Sequence, residues 1–337
     1  MKTILFTMRK GTYGHDDYGV IMDAGCFERL KGLGRLHERP DLDSPEKLKT
    51  ALAETRAEIL VTCWGSPKLT KEVHAASPAL GYMCHVAGTV RPYVDRECLE
   101  AGLICTNWGN TIARSVAEGA MMMILSGLRR TTFLQFELHA RRGWNRDAVK
   151  PEGLFEQTVG LHGLGGIAQE LVRLLRPFGC RISAYSPHCP ESVFEEYGVH
   201  RAATLEELYS RNRVVSVHAS NTPENHHVVG AKLLSAMQDG AVLVNTARGA
   251  VIDTDALVRE LKTGRIEAAL DVFEEEPLPA DHPLRGLENC ALFPHMGGPT
   301  PDRRRDMGRT AVGQIERYVR GQPLENVVSA GKYDLIT

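Results

Sequence analysis

The sequence of 337 residues has no long apolar run and almost no excess of charge of either sign. No stretch approaches the roughly 20 consecutive apolar residues that a membrane-spanning helix needs. Its 40 Lys and Arg nearly balance its 42 Asp and Glu, which gives a formal net charge of -2 and a pI of about 6.7. Because nucleic-acid and membrane-surface partners favour a basic excess, we expect neither kind of partner.

The eight cysteines form no Cys-x-x-Cys pair and show no zinc-ligand spacing, so we expect no metal site. Most lie in apolar runs such as Cys290-Ala-Leu-Phe293, where a thiol serves as a small core residue in a reducing compartment. Met1–Phe6 has a short apolar run with no cleavage pattern behind it and predicts a first strand rather than a signal peptide. The expected location is the cytoplasm.

The chain is longer than one hydrophobic core usually supports, so two domains are expected. Short apolar runs alternate with amphipathic stretches, which is typical of a parallel, doubly wound sheet. In the first hundred residues the predicted strands are Thr3–Thr7, Ile59–Thr62 and Gly81–Cys84, and the predicted helices are Ser44–Glu54 and Thr70–Ala75. Later strands are Thr158–His162, Arg181–Tyr185, Arg213–His218, Ala241–Asn245, Ala268–Val272 and Ala291–Pro294.

Several helices have sequence markers at their ends. Ser115-Val-Ala-Glu118 has the spacing of a capping box, which predicts the start of a long helix. Ile167–Arg176 is predicted to end before Pro177, and Asp255–Lys262 before Gly264. A last amphipathic helix is predicted over Pro301–Arg320, with Arg303-Arg304-Arg305 as its solvated start. Gly32-Leu33-Gly34 is interpreted as a simple turn after a helix.

A glycine turn, Gly163-Leu-Gly-Gly-Ile-Ala168, follows one predicted strand and opens a predicted helix. Gly163 permits a tight turn, Gly165 lets the backbone approach a pyrophosphate, and Ala168 lets the helix pack closely on the strand. The helix N-terminus then offers N–H groups to phosphate oxygens. In this context the motif predicts a dinucleotide site.

The next strand ends at Tyr185-Ser186-Pro187-His188, where NAD-binding folds usually have an acidic residue for the ribose hydroxyls. Ser186 can hydrogen-bond a hydroxyl and does not repel a 2′-phosphate. No arginine follows it directly to bind that phosphate, although His188 could serve in part. The cofactor is therefore NAD or NADP, with NAD slightly favoured.

Three side chains of complementary chemistry follow later strands. Arg248 can bind a carboxylate through two parallel hydrogen bonds. His295 can give a proton to a ligand or take one from it near neutral pH, and Glu276 is its acidic neighbour. Beside a nicotinamide, such groups suit the interconversion of a 2-keto acid and a 2-hydroxy acid. A surface ion pair for Arg248 and a structural role for His295 are the alternatives for each residue alone.

Other polar residues favour ordinary roles. His226-His227 lacks a carboxylate or cysteine at metal-ligand spacing, and His15-Asp16-Asp17 is interpreted as a solvated loop. Glu274 and Glu275 are expected to be solvated.

Together, these motifs resemble the D-isomer-specific 2-hydroxyacid dehydrogenases over nearly the whole chain. The resemblance rests on Gly163–Ala168, Ser115–Glu118, Asn245–Gly249, Ala269–Phe273 with Glu276-Pro277, and Pro294–Gly298. It implies an α/β fold of two doubly wound parallel-sheet domains, with a Rossmann cofactor domain (109–298) inserted into a flavodoxin-like substrate domain (1–108 plus 299–337). It also implies a homodimer and a hinged cleft.

The resemblance implies a role for each matching residue. Arg248 would hold the substrate carboxylate and carbonyl, His295 would be the acid or base, and Glu276 would favour the protonated imidazole. Backbone N–H groups of Ala87 and Gly88 would cradle the carboxylate, and Trp64 would border the substrate. Asp271 would hold the nicotinamide carboxamide. The expected cofactor contacts are Gly163, Gly165, Gly166, Ile167, Ser186, His218, Thr222, Thr246, Ala247, Arg248, Asp271, His295 and Gly298.

The chain departs from the family pattern at Ser186 and in His218-Ala-Ser-Asn-Thr222, where the family has a more apolar segment. The leading function implied is reduction of a 2-keto acid, hydroxypyruvate or glyoxylate for example, with NAD(P)H. A nicotinamide-sensing regulator of the corepressor type is the alternative. Formate oxidation is disfavoured, since the formate enzymes carry glutamine where Glu276 stands.

Overall fold

The computed structural model describes residues 1–11 and 18–334, so the predicted solvated loop at His15-Asp16-Asp17 lies outside the described residues. The chain forms two compact units, Met1–Ile112 with Pro299–Thr337, and Ala113–Gly298, so the second is inserted into the first along the chain. No described helix is both long enough and apolar enough to cross a membrane.

Each unit contains one sheet, and all of the strand pairs in both sheets are parallel. The predicted α/β class with two parallel sheets is therefore confirmed. The first sheet has the order β2-β1-β3-β4-β5, formed by β1 (Lys2–Phe6), β2 (Gly34–Glu38), β3 (Ile59–Thr62), β4 (Tyr82–His85) and β5 (Ile104–Thr106). The second has the order β12-β11-β10-β9-β6-β7-β8, formed by β6 (Thr158–His162), β7 (Arg181–Tyr185), β8 (His200–Arg201), β9 (Val214–Val217), β10 (Val242–Asn245), β11 (Glu267–Leu270) and β12 (Cys290–Leu292).

Helices lie in most of the connections between strands, as is usual for parallel pairing. In the first unit they are α1 (Ala24–Leu33), α2 (Pro45–Thr55), α3 (Lys71–Ala75) and α4 (Arg96–Glu100). The second unit contains α5 (Ala113–Leu128), α6 (Thr131–Gln135), α7 (Gly166–Leu175), α8 (Glu191–Tyr197), α9 (Leu205–Arg211), α10 (Ala231–Ala236) and α11 (Thr254–Lys262). The chain returns to the first unit with α12 (Arg304–Val319).

The predicted starts of α2 and α3 are confirmed by their caps. The Ser44 hydroxyl accepts a hydrogen bond from Lys47 N at 3.3 Å, and the Thr70 hydroxyl accepts one from Val73 N at 3.4 Å. The predicted capping box at Ser115 is wrong, because α5 already begins at Ala113. Ala113 is buried together with Val116 and Ala120, so the apolar stripe of the helix starts ahead of the serine.

Gly32-Leu33-Gly34 ends a helix, as interpreted, but it leads directly into a strand and forms no turn. Gly34 ends α1 and is already the first residue of β2. A Cβ on Gly34 would lie 2.3 Å from the carbonyl oxygen of Lys2 on β1, so only glycine lets the two strands approach at this point. The short, half-buried β2 has none of the apolar runs by which the other strands were recognised.

The second sheet has apolar clusters on both faces. Leu208, Leu243 and Leu257 belong to one cluster, and Met123, Leu171 and Val244 belong to the other. Every residue of β9, β10 and β11 is buried, as expected for central strands of a doubly wound sheet. The polar residues that follow these strands therefore sit on a rigid platform.

Candidate functional site

The ends of β10, β11 and β12 lie side by side at the carboxyl edge of the second sheet. The Asp271 N–H donates to the carbonyl of Asn245 at 3.0 Å, and the His295 N–H donates to the carbonyl of Asp271 at 3.0 Å. Polar residues from three separate stretches of sequence are thus fixed next to one another. In an open α/β sheet, ligands bind at this edge.

Glu276 and His295 are in direct contact. Glu276 Oε2 lies 2.6 Å from His295 Nδ1, while Glu276 Oε1 accepts the Phe273 N–H at 3.0 Å. The carboxylate is therefore anchored on one oxygen and directs the imidazole with the other. His295 has a left-handed backbone, φ 51°, and its side chain is 51% exposed. With Nδ1 occupied by Glu276, the other ring nitrogen, Nε2, is the atom that can exchange a proton with a ligand.

Asp271 is buried directly behind His295. Its two carboxylate oxygens accept the N–H groups of Met296 and Gly297, each at 2.8 Å. Burial raises the pKa of Asp271 above its usual range, although these two hydrogen bonds and the nearby His295 oppose the rise. The carboxylate anchors the loop that carries His295. Each carboxylate oxygen can accept more than one hydrogen bond, so these contacts are compatible with a ligand donor.

Arg248 lies in the loop after β10, and hydrogen bonds from the Asn245 side chain to the backbone hold this loop in place. Asn245 accepts the Ala247 N–H at 3.0 Å on its side-chain oxygen and donates to the Arg248 carbonyl at 2.9 Å. The guanidinium of Arg248 is half-buried and donates from Nη1 to the Ala247 carbonyl at 2.6 Å. The loop therefore presents a fixed cation at the carboxyl edge.

Gly249 connects the Arg248 loop to the Glu276 loop. A Cβ at Gly249 would lie 1.9 Å from the carbonyl carbon of Phe273, so the two backbones touch. Glu274 in the second of these loops accepts the Thr254 N–H at 3.0 Å and pairs with His227 at 2.9 Å. Glu274 is exposed, as predicted, and its carboxylate also closes the first turn of α11.

The glycine turn lies at the junction of β6, β7 and β9. Gly163 has φ 103°, and its N–H donates to the Tyr185 carbonyl at 2.9 Å. A Cβ at Gly163 would lie 2.8 Å from the His218 carbonyl oxygen, so the position requires glycine on both counts. By contrast, a Cβ at Gly165 would meet no atom within 4 Å, which leaves room for a ligand at the start of α7.

Two imidazoles lie next to the glycine turn: His162 is buried and His218 is partly buried. His162 Nδ1 lies 3.2 Å from the Tyr209 hydroxyl, and His218 Nε2 lies 2.9 Å from the Ser216 hydroxyl. Burial lowers the pKa of each imidazole to about 4, with a contribution at His218 from the neighbouring His162. Both rings are therefore neutral at physiological pH.

The environment of Thr246 in the structure indicates a ligand. Its hydroxyl is buried, and the described residues offer it no hydrogen-bond partner. Buried polar groups in proteins nearly always have a partner, so a bound ligand is a natural acceptor or donor here. The other predicted cofactor contacts lie at the ends of strands or the starts of helices. Gly166 and Ile167 begin α7, Ser186 follows β7, and Thr222 precedes a short 3-10 turn. Ala247 and Gly298 lie in the loops after β10 and β12.

The predicted substrate contacts lie at the carboxyl edge of the first sheet. Ala87 and Gly88 follow β4, and their carbonyls accept hydrogen bonds from Trp108 N at 3.2 Å and Asn107 Nδ2 at 2.7 Å. Trp64 follows β3 and forms an edge-to-face pair with Trp108 at 5.7 Å. A Cβ at Gly88 would lie 2.6 Å from the Trp108 ring, so this ring covers the cradle. No sequence motif indicates Trp108.

His85 supplies a second buried polar atom without a partner. Its Nδ1 lies 2.9 Å from the Thr62 hydroxyl, its ring stacks on Tyr93, and the described residues offer Nε2 no hydrogen-bond partner. Burial lowers the pKa of His85 to about 3, so the ring is neutral. Among the described residues, no cluster of three or more His, Cys, Asp or Glu side chains could hold a metal ion.

Residues 121–297 match the model of the family described as D-isomer specific 2-hydroxyacid dehydrogenase, NAD binding domain. The chain is 36% identical over 276 residues to a D-3-phosphoglycerate dehydrogenase of Methanocaldococcus jannaschii, which covers 81% of this chain and 52% of that protein. This chain thus spans about half the length of that relative.

Another relative is matched along most of its length. A glyoxylate reductase of Korarchaeum cryptofilum is 30% identical over 311 residues, covering 89% of this chain and 92% of that protein. The fold is similar to that of D-mandelate dehydrogenase from Rhodotorula graminis, with a TM-score of 0.81, 24% identity and coverage of 97% of each chain.

Proposed function

The chain belongs to the D-isomer-specific 2-hydroxyacid dehydrogenase family, and on that premise we propose that it reduces 2-keto acids to D-2-hydroxy acids with NAD(P)H, and runs the reverse reaction. The hydrogen bond between Glu276 and His295 carries this proposal, because it turns an exposed imidazole into an oriented acid and base. The nicotinamide supplies the hydride to carbon 2 when it is bound.

His295 is the proton donor of the reduction. As carbon 2 receives the hydride, the carbonyl π electrons move to oxygen, and the proton on His295 Nε2 passes to that oxygen. The products are the hydroxy acid and a neutral imidazole, and the reverse steps oxidise the alcohol. Glu276 holds Nδ1 at 2.6 Å throughout, which fixes the ring orientation and stabilises the positive charge of the protonated ring.

Arg248 is the anchor for the substrate. Its guanidinium binds the carboxylate and polarises the neighbouring carbonyl, because a planar fork of N–H donors matches adjacent oxygens. The brace from Asn245 holds the loop, so little ordering remains to be done on binding. Within the first unit, the N–H groups of Ala87 and Gly88 can bind a carboxylate, and Nε2 of the neutral His85 can supply a further polar contact.

The second unit fits a nicotinamide dinucleotide. The glycine turn and the start of α7 hold the pyrophosphate, and the open space at Gly165 lets it approach the backbone. The unpartnered Thr246 hydroxyl and the carboxylate of Asp271 orient the nicotinamide end. Ser186, His218 and Thr222 border the adenosine end. The second unit is accordingly the cofactor domain and the first the substrate domain.

The substrate carries a side chain that meets Trp64 and Trp108. Both rings are partly exposed at the end of the first sheet, and their edge-to-face pair forms a rigid apolar wall beside Gly88. Such a wall favours a 2-keto acid with an apolar side chain over glyoxylate, which has none to place there.

The direct test follows nicotinamide absorbance with purified protein, NADH and NADPH in parallel, and 2-keto acids from glyoxylate to phenylpyruvate. Oxidation of either cofactor by any keto acid supports the proposed activity, and a rate that rises with apolar side-chain size supports the role of the two tryptophans. No oxidation across the panel, although the cofactor binds, contradicts the proposed activity.

The proposed assembly is a homodimer in the cytoplasm. An apolar groove between the end of α5 and the strand β12 is lined by residues that include Met122, Leu125, Phe136, Leu287 and Phe293. Large apolar side chains are exposed in the same part of the chain: Met122 43%, Leu138 45%, Trp144 83% and Phe155 70%. So much exposed apolar surface favours burial against a second copy.

The eight free cysteines suit a reducing compartment. No observation favours the regulatory alternative, so the proposal is catalysis.

A further inference from the structure

Ser186 occupies the position that normally decides between the two nicotinamide cofactors. It follows β7 directly, and the preceding Tyr185 carbonyl accepts the N–H of Gly163, which ties this position to the glycine turn. With serine in place of an acid, the position lacks the negative charge that would repel a 2′-phosphate. The sequence alone left NAD slightly favoured, because no arginine follows Ser186 directly.

The fold brings an arginine to this position from 15 residues further along the chain. Arg201 belongs to β8, where it pairs with Ala184 of β7. Its guanidinium donates from Nη1 to the Ser186 carbonyl at 3.2 Å and from Nη2 to the Cys189 carbonyl at 2.8 Å. A positive charge is thus fixed against the turn that begins with Ser186.

The Arg201 guanidinium is held in place and is still accessible. It lies over the Phe194 ring at 3.8 Å from the centroid, which fixes its plane, and its side chain keeps 32% of its surface exposed. Arginine has five N–H groups, and the bonds to Ser186, Cys189 and Glu191 use three of them. Two remain for an incoming phosphate.

The neighbouring charges leave Arg201 a net attraction for an anion. Glu191 accepts from Nε at 2.7 Å, but its side chain is 62% exposed, so water screens most of its field. His188 is exposed within the same turn and can add a further hydrogen bond to a phosphate.

We propose that Arg201, acting beside Ser186, binds the 2′-phosphate of NADPH and makes NADPH the preferred cofactor. This inference rests on the proposed function for the identity of the cofactor, but it assigns the choice between the two cofactors to a residue that no motif indicates. Arg201 is a specificity-determining residue and takes no part in hydride or proton transfer.

The test is calorimetric binding of adenosine 2′,5′-bisphosphate and of 5′-AMP, which differ only in the 2′-phosphate. The wild-type protein is expected to bind the bisphosphate at least about tenfold more tightly. Arg201→Gln removes this advantage and leaves 5′-AMP affinity unchanged. The matched control is Arg211→Gln, an exposed arginine at the last residue of α9, which pairs with Glu207 and should change neither affinity.

Two further variants distinguish loss of the phosphate contact from a general disruption of the turn after β7. Arg201→Lys keeps the charge and is expected to retain part of the preference, while Ser186→Asp restores an acid and is expected to favour 5′-AMP and NADH. Equal wild-type affinities for the two nucleotides, or an unchanged preference in Arg201→Gln, overturn the proposal. These probes contain neither nicotinamide nor keto acid, so their outcome is independent of whether any keto acid is reduced.

Discussion

The proposed proton transfer depends on the hydrogen bond between Glu276 and His295. Replacing the carboxylate of Glu276 by an amide tests that dependence. In Glu276→Gln, the side chain still reaches Nδ1 but no longer carries a charge to stabilise the protonated ring. We expect turnover of Glu276→Gln to fall on the order of 10- to 100-fold. Turnover of His295→Gln should fall by roughly two to four decades. Steady-state kinetics measure both losses.

Nucleotide affinity provides the control for these two variants, because neither substitution alters the glycine turn. Fluorescence titration with the reduced cofactor should give dissociation constants close to that of the wild type. Near-normal turnover in His295→Gln would remove this residue from the mechanism. A loss of cofactor affinity that matches the loss of turnover would assign it a binding role instead.

The sequence singles out Arg248, Glu276 and His295 as candidates, because each follows a recognisable strand and the carboxyl ends of parallel strands meet at one edge. It did not identify Asn245, whose amide holds the Arg248 loop, because an asparagine after a strand has many ordinary uses. Trp108 and Arg201 were missed for another reason. Their positions depend on which strands are neighbours in space.

Among the elements, the turn from β6 into α7 depends on a single glycine. Gly163→Ala would place a side chain at φ 103° and a Cβ 2.8 Å from the His218 carbonyl, so backbone must move. We expect the free energy of unfolding to fall by about 2 kcal/mol or more and nucleotide binding to weaken strongly. Chemical denaturation and calorimetric titration measure the two effects.

Gly198→Ala is the matched control, since Gly198 also has positive φ, 58°, but a Cβ there would meet no atom within 4 Å. It should cost on the order of 1 kcal/mol from the backbone alone and leave nucleotide binding intact. If Gly163→Ala behaves like Gly198→Ala in both measurements, close packing against His218 is not what the turn requires.

The elements also show where sequence patterns suffice. The strands Ile59–Thr62, Thr158–His162 and Arg181–Tyr185 have the predicted bounds, because short runs rich in apolar and β-branched residues between turn signals mark buried strands well. The half-buried β2 lacks such a run and was missed. The start of α5 was misplaced because burial of Ala113 extends the helix ahead of a local capping signal.

For the molecule as a whole, the exposed apolar surface around α5 predicts a dimer that depends on Met122. Met122→Glu would place a charge in the groove, which opposes its burial against a second copy. We expect light scattering after gel filtration to show the wild type as a dimer and this variant shifted towards monomer. Ile104→Glu, at a comparably exposed position on β5 with 37% exposure, is the control and should stay dimeric. A monomeric wild type would contradict the proposed assembly.

Stability of the second unit should fall as the pH drops from about 6.5 to 4. The unfolded chain protonates His162 and His218 near the ordinary pKa of 6.5, whereas the folded chain excludes these protons until the pH nears the lowered pKa of about 4. Protons then favour unfolding, at a cost on the order of 3 kcal/mol for each histidine. Asp271 acts in the opposite direction, because its pKa is raised by folding.

Denaturant unfolding at several pH values measures this dependence. In His162→Asn, which does not titrate, the slope of unfolding free energy against pH between 4 and 6.5 should be smaller than in the wild type. The same slope in both proteins would show that the buried imidazole is not the group that couples folding to protons.

In the proposed reaction, hydride passes to carbon 2 of a 2-keto acid under the control of Arg248, Glu276 and His295. Deuterium transfer is the measurement of choice, with reduced cofactor carrying deuterium at both C4 positions of the nicotinamide and the product examined by mass spectrometry and chiral chromatography. We expect one deuterium on carbon 2 of a D-2-hydroxy acid, and very little product with His295→Gln. An L-product, deuterium absent from carbon 2, or undiminished product from the variant would contradict it.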